Sequence, residues 1–156
     1  MKDTAEAPQD TSELIDHIQS RYHDTHRREL PEIATLAEKV ERVHHDHPQV
    51  PQGLGELLRR LIGEMEVHMK KEELILFPAM RAGGGPGIKN PIAVMRADHD
   101  DHEESVAEIR RITGNLVLPE GACRSWTALY EGTQKFLDDL DAHMRLENDV
   151  LFPRFE

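Results

Sequence analysis

Residues 68–78 read HMKKEELILFP, and residues 143–153 read HMRLENDVLFP. Both copies follow His-Met-basic-x-Glu-x-x-(Ile/Val)-Leu-Phe-Pro, and they are read as the chain's repeat, with nothing between them repeating. On an α-helix a His and a Glu four residues apart share one face, one turn apart. Such a pair can ligate a metal together, or it can be a solvated ion pair at the surface. The surroundings of the two copies decide between these readings.

Working outward, the apolar period is helical throughout. Thr11 or Ser12 opens a stripe through Leu14, Ile15, Ile18 and Tyr22, which resumes after Pro31 through Ile33, Leu36, Ala37, Val40 and Val43. Pro31 predicts a kink or a division of this first helix. A second helix is expected from about Gly53 to Arg81, on Leu54, Leu57, Leu58, Leu61, Met65, His68, Glu72, Ile75, Leu76 and Met80. A third starts near Pro91 and carries Ile92, Met95, His99, Val106 and Ile109. The fourth opens near Glu120 and runs on Trp126, Leu129, Tyr130, Phe136, Leu137, Leu140, His143, Glu147, Val150 and Leu151. No stretch alternates as a strand does. The expected fold is all-α: an up-down-up-down antiparallel four-helix bundle over residues 11–156, after a disordered lead at residues 1–10.

Composition narrows the function classes. The chain of 156 residues fits one domain and can bury a core without staples. With Cys123 as its single cysteine it forms no internal disulfide, which fits a reducing compartment. No signal-type or membrane-length apolar run is present, so a cytoplasmic location is expected, with no membrane partner. The formal charge of -11 repels phosphate backbones, and no nucleic-acid partner is expected. Ten histidines stand out beside so few aromatics.

Position tests the metal reading. Measured from one end of the bundle, with the usual helical rise, His23 lies roughly 17 Å up the first helix. His68 and Glu72 come at roughly 14 to 20 Å, His99 at roughly 12 Å, and His143 with Glu147 at roughly 12 to 18 Å. All four helices offer donors at one level, and each donor continues an apolar stripe. Unpaired charges in a bundle core cost several kcal/mol each, so a metal is the economical explanation. Four His and two Glu exceed one tetrahedral zinc site and suit a carboxylate-bridged pair of irons. Glu72 and Glu147 would be the bridges, with an oxo, hydroxo or other solvent-derived bridge between two iron ions and open positions for a small molecule.

The segments HIQSRYHDTHRRELPEI, HMKKEELILFP, ADHDDHEES and DAHMRLENDVLFPRFE resemble the hemerythrin-like domain of the repair-of-iron-centres (RIC, or ScdA-like) proteins over about residues 14–153. The resemblance implies a non-haem di-iron protein of nitrosative and oxidative stress that binds nitric oxide or oxygen. It also implies iron supply to damaged iron-sulfur proteins. By motif it carries the same six positions: His23, His68, Glu72, His99, His143 and Glu147. Full-length members usually carry an N-terminal domain with adjacent cysteines; this sequence contains no such pair, so functions that need those thiols do not carry over from the resemblance. Oxygen-carrying hemerythrins show HxxxH on the third helix and HxxxxD on the fourth, whereas this sequence has HDDHE and HxxxE. The alternatives are an oxygen carrier or sensor, a di-iron nitric oxide reductase or peroxidase, and a metal-free interaction bundle.

The remaining candidates sort by the same ruler. His44 belongs to the resemblance's pattern, yet it falls roughly 31 Å beyond His23 on an unbroken helix, so only a reversal near Pro31 would bring it in. His45 and His47 share its turn and are read as exposed. His17 and His26 are read as packing or as partners of the ligands. His102 and Glu103 lie near the level of the site; Glu103, one turn from His99, is read as solvated and ion-pairing, the alternative being an added ligand or a hydrogen bond to one. Glu64 and Asp98 are candidates to orient an imidazole or to line a path for ions. Tyr22 and Tyr130 are read as core aromatics and Cys123 as an inert thiol. GGGPGIKN lacks the features of a phosphate loop and is read as a flexible connection. The two LFP endings are expected to cap the apolar core and set the helix exits.

Overall fold

The computed structural model describes residues 7–156, and within them every regular element is helical. Residues 1–6 of the expected lead lie outside the described residues. Helix α1 covers residues 11–43, as Thr11–His17, a wide turn Ile18–His23, and Asp24–Val43. Its cap is Asp10 rather than Thr11 or Ser12: the Asp10 carboxylate accepts the Glu13 N–H at 3.1 Å. Pro31 sits inside Asp24–Val43 without dividing the helix or reversing it. Losing one N–H is tolerable in a helix held along its length by its neighbours.

Helix α2 covers residues 54–81, as Leu54–Lys71, a second wide turn Glu72–Leu76, and Phe77–Arg81. Its start is pinned to α1 by Glu41, whose carboxylate accepts the N–H groups of Gly53 and Gly55, each at 2.8 Å. A Cβ on Gly55 would lie 2.8 Å from Glu38 Cγ, so glycine is what lets the two helices approach there. Helix α3 is Lys89–Ile112. Helix α4 covers residues 124–151, as Arg124–Arg145 and a third wide turn Leu146–Leu151, and leaves through the 3-10 turn Phe152–Phe155. It begins four residues later than the apolar stripe implies, because Cys123 takes the cap position and its sulfur accepts the Trp126 N–H at 3.4 Å.

The wide turns are the main departure from the expected bundle. In each, an N–H reaches the carbonyl five residues back: Asp24 to Gln19, Phe77 to Glu72, and Phe152 to Glu147. Pro78 and Pro153 each lie just beyond such a turn, directly after Phe77 and Phe152. In a regular α-helix their rings would press on the carbonyl four residues back and offer it no N–H, and a widened turn relieves that. The extra residue also re-phases the stripe. Ile75, expected inside, is 64 % exposed, while Phe77 is 1 % exposed.

Helix α1 packs on α2 and α4, and α3 lies along α2. Two apolar clusters fill the bundle. One, with Leu30, Leu58, Met65, Trp126 and Phe136, lies towards the end bearing the 44–53 and 113–123 connections. The other, with Leu14, Tyr22, Phe77, Ile92 and Phe152, lies towards the opposite end. A layer of buried polar side chains separates them. Leu58→Ala, deep in the first cluster, is expected to lower stability by about 2–5 kcal/mol in chemical denaturation while leaving metal content unchanged.

Candidate metal centre

The polar layer holds two overlapping quartets. His23, Glu72, His143 and Glu147 form one, and His68, Glu72, His99 and Glu147 the other, with the donor atoms of each within 4.8 Å of one another. Both glutamates are fully buried. Glu72 offers Oε1 to His23 Nε2 at 3.1 Å and Oε2 to His68 Nε2 at 3.4 Å. Glu147 offers Oε1 to His99 Nε2 at 2.9 Å and Oε2 to His143 Nε2 at 3.1 Å. Each carboxylate therefore gives one oxygen to each quartet.

The four imidazoles share one orientation. Every Nε2 points inward at a glutamate, and every Nδ1 points outward at a group able to accept its proton. His23 Nδ1 meets Glu73 Oε2 at 2.7 Å, and His68 Nδ1 meets Asp98 Oδ2 at 3.1 Å. His99 Nδ1 meets Asn148 Oδ1 at 2.8 Å, and His143 Nδ1 meets His26 Nε2 at 3.2 Å. Metal-bound histidines are oriented in this way by outer partners. Inward, the nitrogens and oxygens are close but, except for His143 with Glu147, not aligned as hydrogen bonds. Nε2 of His23, His68 and His99, both Glu72 oxygens and Glu147 Oε1 are buried without a hydrogen-bond partner among the described residues. Buried carboxylate oxygens and imidazole nitrogens that converge with one aligned hydrogen bond among them fit a cation.

Titration follows the same demand for positive charge. Burial disfavours a charged His23, but Glu72 and Glu73 outweigh it and hold its pKa at about 9. His68 is likewise raised to about 9, against its burial, chiefly by Glu72. Burial would raise the Glu147 carboxyl, but His143 and His99 pull it well below the usual carboxylate range. Burial wins at His143, whose pKa is lowered.

Residues 14–155 match the hemerythrin HHE cation binding domain. The chain is 49 % identical to the iron-sulfur cluster repair protein YtfE of Citrobacter koseri, over 98 % of this chain and 69 % of that protein. It is 48 % identical, with the same coverage, to the proteins of that name from Escherichia coli O1:K1 and Escherichia fergusonii. The chain belongs to the hemerythrin HHE family, in its repair-of-iron-centres branch.

The structure also shows a longer repeat than the twin motif. His23-Asp24-Thr25-His26 on α1 corresponds to His99-Asp100-Asp101-His102 on α3, so each half of this HHE domain contributes an HDxH segment and an HMxxE segment. The LFP segments prove to be part of the site rather than caps. Phe77 stacks on His23 and Phe152 on His99, each with ring centroids 5.8 Å apart. The first copy is no helix exit, since α2 continues to Arg81. The wide turns of α2 and α4 each swing the Phe, five residues after the glutamate, back to the inner face.

Other predicted positions fall in varied places. Asp98 orients an imidazole, though that of His68 on α2 rather than of its neighbour His99. His26 contacts His143, and Tyr22 stacks on the same ring at 5.4 Å. His102 is buried against His68, and burial with the cationic neighbours His68 and His99 lowers its pKa to about 3. Glu64 is exposed and pairs with Arg60, and Glu103 is exposed outside both quartets. His44 remains far along α1, with Nε2 at 3.1 Å from Cys123 Sγ and its ring against Trp126. His47 is not fully exposed either, since its ring edge meets Trp126. Sequence reasoning missed Glu73 and Asn148, the residues directly after the two motif glutamates, and Arg27, which braces Glu73 at 2.8 Å. His23 and Arg27 hold the Glu73 carboxyl down at about 2, against its partial burial. Glu73→Gln is expected to weaken metal retention by about 10–100-fold in competition with a chelator, with the fold intact by circular dichroism.

Proposed function

We propose that this chain is a di-iron protein of nitrosative and oxidative stress that binds nitric oxide or oxygen and supplies iron for repair of iron-sulfur proteins. The observation that carries the reading is the shared pair of carboxylates: Glu72 and Glu147 each present one oxygen to each quartet. Bridging carboxylates joined by histidines from four helices suit a pair of irons better than two separate zinc ions. The names of the relatives, iron-sulfur cluster repair proteins, support the repair role.

Each residue has a definite task in this scheme. Two imidazoles and two carboxylate oxygens would hold each metal, His23 with His143 in one position and His68 with His99 in the other. Glu73, Asp98, Asn148 and His26 fix the ring orientations by taking the Nδ1 protons. Phe77, Phe152 and Tyr22 cover the imidazole faces and limit water. When bound, the irons would supply redox-active, incompletely coordinated positions at which a small diatomic molecule can attach.

Protein purified without oxygen is expected to hold two irons per chain, and the Glu72→Ala, Glu147→Ala double variant to lose most of both. One zinc, or no metal in either protein, would overturn the di-iron reading. The iron-loaded parent, mixed with an apo iron-sulfur protein and sulfide, is expected to restore the cluster absorption. Retention of both irons beside that acceptor, with a stable oxygenated form, would show a carrier instead.

A further inference from the structure

The two halves of the centre are alike in their ligands and differ in the residues around them. His26 in the first half corresponds to His102 in the second, three positions beyond His23 and His99. His26 is used: its Nε2 closes on His143 Nδ1 at 3.2 Å. In the second half Asp98 takes the equivalent place, at 3.1 Å from His68 Nδ1. His102 is thereby left over. It is 4 % exposed, its ring centroid lies 5.0 Å from that of His68 and 6.2 Å from that of His99, and no described residue hydrogen-bonds it.

His102 faces a groove of about 910 Å³ between α2 and α3, with His68 also in its wall. Five carboxylates line this groove, those of Glu64, Asp98, Asp101, Glu104 and Glu108, against the two cations Arg60 and Lys71. The other quartet is closed differently. Tyr22 and His26 cover His143, Phe77 covers His23, and the cavity of about 250 Å³ beside it is lined mostly by apolar side chains, with the ion pair of Arg27 and Glu66 among them. A cation is drawn to the carboxylates of the first opening, whereas at the second Glu66 and Glu73 are already taken up by Arg27.

We infer that His102, with Asp98 and Asp101, forms a transit site for a divalent cation at the inner end of the α2–α3 groove, through which the metal held by His68 and His99 exchanges. Imidazole and carboxylate together suit ferrous ions, and a site with few protein donors binds weakly enough to pass its ion on. The position between His23 and His143 then retains its metal. The inference rests on the two-metal reading of the centre and adds a direction of traffic to it.

The test follows release of ferrous iron from the anaerobic, fully loaded chain to a coloured ferrous chelator in stopped flow. One iron per chain is expected to leave in a fast phase and the second much more slowly. His102→Gln is expected to start with two irons and to slow the fast phase about tenfold. Asp101→Asn, at an exposed position, is expected to slow it by a smaller factor. Glu103→Gln, on the same turn but off the groove, is expected to match the parent. A parent that loads two irons but releases both together, or at a rate indifferent to His102 and Asp101, overturns this inference alone. A parent that loads no pair of metals overturns it together with the reading it rests on.

Discussion

Two carboxylates at zero exposure in the middle of a helical bundle are the constraint from which the rest of this molecule follows. Burying a charge without compensation costs several kcal/mol, and here two are buried side by side with few hydrogen bonds to either. The compensation is built in layers. Four Nε2 atoms surround the oxygens, four acceptors outside steady the rings, and Arg27 steadies one of those acceptors in turn. The apolar clusters on either side hold the helices at the spacing this layer needs.

The wide turns show backbone and side-chain chemistry acting together. A regular helix cannot put a glutamate and a phenylalanine five residues later on the same face, yet the site uses both: the carboxylate between the histidines and the ring against one of them. The i to i+5 turn brings the two into line, and the proline that follows disfavours a return to regular winding at that point. Three such turns, one in each of α1, α2 and α4, lie at the level of the polar layer.

Much of this was legible in the sequence. The helical period gave four helices, and a ruler along them brought His23, His68, Glu72, His99, His143 and Glu147 to one level, where the structure places them. That ruler tolerated the extra residues in the wide turns because each adds little length. Phase is less forgiving, and so Ile75 was misplaced and the two phenylalanines were taken for caps. Glu73 and Asn148 escaped notice because in a regular helix they would turn away from the glutamate's face. The HDxH pair is short, and its partner role depends on contacts across helices that spacing within one helix does not reveal.

Each quartet takes two residues from the hairpin of α1 and α2 and two from the hairpin of α3 and α4. Neither hairpin contains a complete cage, so the centre is a property of the seam between them. A cation held there would act as a clasp across two similar halves, drawing together carboxylates that otherwise push the halves apart. A chain of half this length could assemble such a cage only by pairing with another, and the present chain can be viewed as that pair joined end to end.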